Sequence, residues 1–139
     1  MSFTENPRQA PQDLVQKGQA QIQQLLHAVP GLDFVMLCSS DGFELALASK
    51  KNLSNPGKIA AVGSSILAMV SAFVSEIQLQ GCQTITLDAD NGKAVLSAVA
   101  HPQYPMLIVA LAPKDVLLGQ LLYSIKKTAG NIASMNDAA

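Results

Sequence analysis

Residues 56–79 read PGKIAAVGSSILAMVSAFVSEIQL, and Lys58 and Glu76 are the only charges among them. Laid out at about 100° per residue, the segment is a helix with two faces. Ile59, Val62, Ile66, Met69, Val70, Phe73 and Ile77 make a bulky apolar stripe, and nearly opposite run Ala61, Ser64, Ser65, Ala68, Ser71, Ala72 and Ser75. The bulky stripe is expected to face the core. A solvent face would carry Lys, Glu and Gln, whereas a small uncharged face lets another backbone come close. The helix is therefore expected to lie between its own domain and something else, as in a partner-binding or dimerising module. Its charge-free run, 59–75, only just reaches the roughly 17 residues that a spanning helix needs. Gly63 and four serines interrupt that run, so no membrane span is expected.

The composition points the same way. A chain of 139 residues suits one domain, large enough to bury roughly two-thirds of its unfolded surface. Hydrophobic residues make up 49% and charged residues 14%, a balance that suits a surface partly covered in an assembly. The net charge of −1 gives no electrostatic case for nucleic acid or an anionic membrane. Arg8 is the sole arginine, whereas phosphate and base-edge recognition lean on arginine. Cys38 and Cys82 stand far apart with no CxxC, as expected of small buried residues in a reducing compartment. Residues 1–12 lack the basic and apolar regions of a signal peptide, and a cytoplasmic protein is expected.

Outward from the central helix, residues 1–12 hold Pro7 and Pro11 and little to bury, and are read as a flexible tail. Residues 13–29 place Ile22, Leu25, Leu26 and Val29 at helical spacing, with most glutamines off that stripe, until Pro30-Gly31 stops the helix. The compact apolar run 32–39 suits a central strand buried on both faces. Asp41-Gly42 then turns it into a second strand in which Phe43, Leu45 and Leu47 alternate. Pro56 suits the first turn of the central helix. Beyond Gly81 a third strand begins near Cys82, with Thr84 and Thr86 on one side and Ile85 and Leu87 on the other. Asn91-Gly92 makes a second hairpin turn into residues 94–100, and the turn 101–105 leads to a fifth strand, 106–112. Pro113, Lys114 and Asp115 open a last helix with Leu118, Leu121, Leu122 and Ile125 on its stripe, and residues 134–139 fray. Short turns enforce antiparallel neighbours, so the order α-β-β-α-β-β-β-α makes an α+β fold.

No catalytic or metal constellation emerges. His27, read as a partly buried helix-end residue, and His101 each stand without a second histidine nearby. Asp41 is explained by its turn, and Asp88 and Asp90 lack the further oxygen ligands of a calcium loop. Ser39 and Ser40 have no G-x-S-x-G frame, and no phosphate-cradling G-x-x-x-x-G-K-[ST] is present. Arg8, the sole candidate for an arginine finger, sits in the tail. A non-enzyme without metal or cofactor is expected.

Several features in order resemble the Roadblock family, which includes the dynein light chains of that name and bacterial and archaeal regulators of Ras-like GTPases. They are residues 26–31 (LHAVPG), Ser40-Asp41-Gly42-Phe43 followed by Leu45-Ala46, the small-residue helix from Ile59, the three-stranded meander, and residues 117–121 (LLGQL). The resemblance covers about residues 13–133. It implies a five-stranded antiparallel sheet between one long helix and two terminal helices, an arrangement also similar to profilin. It further implies a homodimer, or a heterodimer with a related subunit, joined through the long helix and the strand after it. Carried onto this chain, the interface is Ala61, Ser64, Leu67, Ala68, Ser71 and Ser75 on the helix and Thr84 and Thr86 within strand residues 82–88. The implied partner is a small Ras-like GTPase whose nucleotide state the dimer biases. Two alternatives are a nucleotide-independent structural adaptor and a PAS- or profilin-like sensor with a small-molecule pocket between sheet and helix.

Overall fold

The computed structural model describes residues 10–81 and 83–135. Residues 1–9 of the expected tail, residues 136–139 of the expected frayed end, and Cys82 lie outside them. The first helix, α1 (Gln12–Ala28), buries Leu14, Ile22, Leu25 and Leu26 along one stripe and leaves most of its glutamines in solvent. Ala10, just before it, is already buried. Gly18 lets α1 close on the sheet, since a Cβ there would come within 2.6 Å of the Leu37 side chain. After Pro30-Gly31 the chain enters β1 (Phe34–Ser39), every residue of which is buried, as its unbroken apolar run requires. Gly42, at φ 97°, supplies the left-handed residue of the turn into β2 (Glu44–Ser49).

The long helix α2 (Pro56–Glu76) starts where Asn55 accepts the Lys58 backbone N–H at 3.1 Å, with Pro56 in the first turn. A meander follows: β3 (Thr84–Ala89), β4 (Gly92–Val99) and β5 (Met106–Ala112). The β3–β4 turn works differently from the first hairpin. None of its residues takes positive φ, and Gly92 pairs with Ala89 as the first residue of β4. A Cβ on Gly92 would meet the Ala112 carbonyl at 3.0 Å, so this glycine serves close approach. Residues 113–117 form turns, and the last helix α3 (Leu118–Ala133) begins later than Pro113 suggests.

The five strands pair antiparallel throughout in the order β2-β1-β5-β4-β3. The chain thus has the α+β architecture read from its sequence, with α2 on one face of the sheet and the terminal helices α1 and α3 on the other. On the α1/α3 face, Leu14, Ile22, Leu37, Ile108, Ile125 and Ile132 belong to an extensive core. The α2 face holds a smaller one built on Phe34, Met36, Ala60, Leu96, Leu107 and Val109.

That second core rotates α2 away from the orientation its bulky stripe suggests. Ala60 and Gly63 are the buried residues of the helix, and a Cβ placed on Gly63 would stand in ordinary van der Waals contact with Leu96, Leu107 and Val109. Ile59, Ile66, Leu67 and Val70 flank this contact and are half-buried. Val62, Met69, Phe73 and Ile77 turn outward instead of into the core. The cause is steric: with only small residues on its sheet-facing side, the helix lies closer to the sheet than bulky side chains there would permit.

Candidate partner-binding face

The outward surface of α2 joins two strips of different texture. One holds Ala61, Ser65, Ala68, Ser71, Ala72 and Ser75, all exposed. The other holds Val62, Met69, Phe73 and Ile77, with Met69 66% and Phe73 62% exposed. Only Glu76 charges this outward arc between Lys58 and the helix end. Water solvates such a surface poorly, and contiguous exposed apolar side chains mark interaction sites. By length and composition α2 could also cross a membrane.

Each sequence-derived interface residue has a definite place. Ala61 faces the β1–β2 turn, where a Cβ on Gly42 would lie 3.2 Å from the Ala61 Cα. The Ser64 hydroxyl donates to the Ser40 carbonyl at 2.6 Å. These two residues are therefore small partly because the chain's own hairpin packs on them. Leu67 is half-buried against the smaller core. Ala68, Ser71 and Ser75 are exposed. Thr84 and Thr86 are exposed on β3. They pair with Ser97 and Val95, on the sheet face opposite α2, whereas Ile85 packs against the α2-side core. Ala61, Ser64, Ala68, Ser71 and Ser75 thus follow one another along one side of α2, whereas Leu67 turns to the sheet-side core and Thr84 and Thr86 lie on the sheet face away from the helix.

The exposed bulky strip is what sequence reasoning placed in the core. Ala60 and Gly63, three residues apart, are the signal that locates the true sheet-facing side. Between the first half of α2 and the meander lies an open groove of about 450 Å³, lined by Leu53, Ile59, Ile66, Leu87, Leu96 and Val109 among others, with Lys58 at its rim. β3 closes the sheet on this side, and no strand pairs with its outer edge among the described residues.

Cys38, Asp88 and His101 are engaged structurally. Burial, with Glu44 nearby, pushes the Cys38 thiol up to about 12, which keeps it protonated and poorly nucleophilic. Asp88 is held below the usual carboxylate range by the Lys93 ammonium, which donates to it at 2.6 Å, with Lys114 adding to the effect. His101 is buried: its Nδ1 accepts the backbone N–H groups of Gln103 and Tyr104, and its Nε2 meets the Met135 carbonyl at 2.8 Å. His27 is exposed, 3.4 Å from Gln23, rather than partly buried, because it points off the packed stripe of α1. Among the described residues no three His, Cys, Asp or Glu side chains gather as a metal site would need.

No family sequence model matches the chain, and no curated protein matches it in sequence. Solved structures do match. A Roadblock/LC7 domain from Streptomyces avermitilis is 15% identical, with 82% of this chain and 92% of that one covered and a TM-score of 0.73. An MglB with tetrameric arrangement is 16% identical over 94% of this chain and 95% of that one, with a TM-score of 0.80. The gliding protein MglB from Thermus thermophilus is 15% identical over 96% of each chain, with a TM-score of 0.73. The fold of this chain is Roadblock-like.

Proposed function

We propose that this Roadblock-like chain is a non-enzymatic regulator that works as a dimer. Paired α2 helices and adjoining β3 edges form the dimer, which docks a small Ras-like GTPase and biases its nucleotide state. The observation that carries this reading is the nearly uncharged outward arc of α2 in a sheet whose β3 edge pairs with no strand among the described residues. A stable interface buries on the order of 1,200–2,000 Å² in total, and a helix face combined with a strand edge is the kind of surface that supplies it. Burying a side chain such as Phe73 or Met69 contributes about 1.5–3 kcal/mol. Small residues alongside let the two helix backbones approach. The same arc accounts for the membrane-like composition of α2 without a membrane, because a partner covers it. The working compartment is the cytoplasm, consistent with a buried thiol at Cys38.

The GTPase partner comes from the family resemblance, and the fold shared with MglB proteins supports it. Capture from source cells with the tagged chain, once with GDP and once with a non-hydrolysable GTP analogue, tests it. Preferential retention of a small GTPase in one state is expected. A partner set identical in both states favours a nucleotide-independent adaptor. A second reading, a small-molecule sensor, draws on the apolar groove beneath α2. It predicts a metabolite that raises the melting temperature by binding only the folded state.

A further inference from the structure

The two edges of the sheet end differently. On β2, the Lys50 N–H donates to the Asp33 carbonyl at 2.8 Å, which fixes the alternation of the β1–β2 ladder. Leu47 and Ser49 therefore present their backbone groups away from β1. Those of Leu47 are both taken by one side chain from α1. Gln19 Nε2 donates to the Leu47 carbonyl at 2.8 Å, and the Leu47 N–H donates to Gln19 Oε1 at 3.3 Å. A primary amide bonded in this way reproduces the pair of hydrogen bonds that a residue of an adjoining strand would make. It also occupies the space about 4.8 Å from β2 where such a strand would lie. At Ser49 the side-chain hydroxyl accepts the Lys51 N–H at 3.0 Å and donates to the Lys51 carbonyl, a local turn that ends the strand.

Among the described residues no side chain fills the outward backbone groups of Thr86 and Asp88 on β3 in this way. The Ala98 N–H donates to the Gln83 carbonyl at 2.8 Å, so the same alternation turns the backbone groups of Thr86 and Asp88 outward. A sheet with two open edges propagates from copy to copy, because a heterologous edge contact does not close. A sheet with one open edge stops when two copies have met.

We propose that Gln19 is an edge guard: it fills the outward hydrogen-bonding groups of Leu47 in the middle of β2, so that a second copy of this chain adds to the sheet at β3 and not at β2. The block at β2 stands by itself, whereas the two-chain limit rests on the dimer proposed above. Hydrogen exchange on the unaltered protein tests the block first. The Leu47 amide exchanges about tenfold or more slowly than in an unstructured chain, the factor that one net hydrogen bond supplies. Exchange at the unstructured rate overturns the guard. Sedimentation of Gln19→Ala, with retained secondary structure checked by circular dichroism, tests the consequence. Assemblies that grow with concentration beyond the wild-type size are expected, and a second substitution, Thr86→Pro, abolishes that growth by removing the β3 edge. A folded Gln19→Ala that keeps the wild-type size, or growth that survives Thr86→Pro, overturns the proposal. A monomeric wild type with a protected Leu47 amide contradicts the dimer and leaves the guard standing.

Discussion

Gly42 carries two constraints at one position. Its φ of 97° lies in the left-handed region, and its α-carbon faces the Ala61 backbone so closely that a Cβ would stand 3.2 Å away. Gly42→Ala is predicted to cost about 1–3 kcal/mol, read as a lower urea midpoint at an unchanged slope. Cys38 gives a pH prediction. Its thiol is raised from 9.0 to about 12, so the folded state resists losing that proton. Below 9 the thiol is protonated in folded and unfolded chains alike, and its contribution to stability is fully present. As pH rises from 9 toward 12 the unfolded chain ionises first, and stability falls. A Cys82→Ser variant, with Cys38 as its remaining thiol, is predicted to stay unreactive toward a disulfide reagent at pH 8 until denaturant is added. Rapid reaction of the folded protein would show the thiol to be accessible.

At the scale of elements, β1 and the Asp-Gly hairpin were legible in the sequence because a fully buried strand and a left-handed turn each leave a local signature. The stripes of α1 and α3 were legible for the same reason: glutamines and lysines mark their wet sides. The azimuth of α2 was not. Apolar or small residues surround that helix, so its periodicity does not select the side that packs. Packing of the Ala60 and Gly63 side of the helix over Leu96, Leu107 and Val109, all distant in sequence, makes the selection. The grip of Gln19 on Leu47, 28 residues away, left no local trace either. The element-scale prediction separates packing from partnering. Ser64 holds the Ser40 carbonyl, so a bulky replacement there disturbs the hairpin as well as any interface. Ala68 and Phe73 are exposed. Ala68→Glu and Phe73→Glu are predicted to leave the melting temperature of the dissociated chain within a few degrees, since exposed substitutions usually shift stability by less than about 0.5 kcal/mol.

At the scale of the whole molecule, the sheet is unevenly dressed. Two helices cover one face, α2 seats itself on part of the other, and β3 projects with both faces largely open. Such a molecule is complete on one side and unfinished on the other, which is the physical argument for a partner. The unfinished side is nearly uncharged, so association through it is predicted to persist when sodium chloride is raised from about 0.1 M to 1 M, where exposed ion pairs are screened. Dissociation by salt would point to an electrostatic interface elsewhere.

In the proposed dimer two copies meet through the outward arc of α2 together with β3. Sedimentation velocity of the wild-type chain beside Phe73→Glu, across a concentration series from about 1 to 100 µM, spanning the range where micromolar binding is populated, tests it most directly. A two-chain species is expected for the wild type and a shift toward single chains for the variant. A wild type that stays a single chain throughout, or a dimer that Phe73→Glu leaves intact, would contradict it.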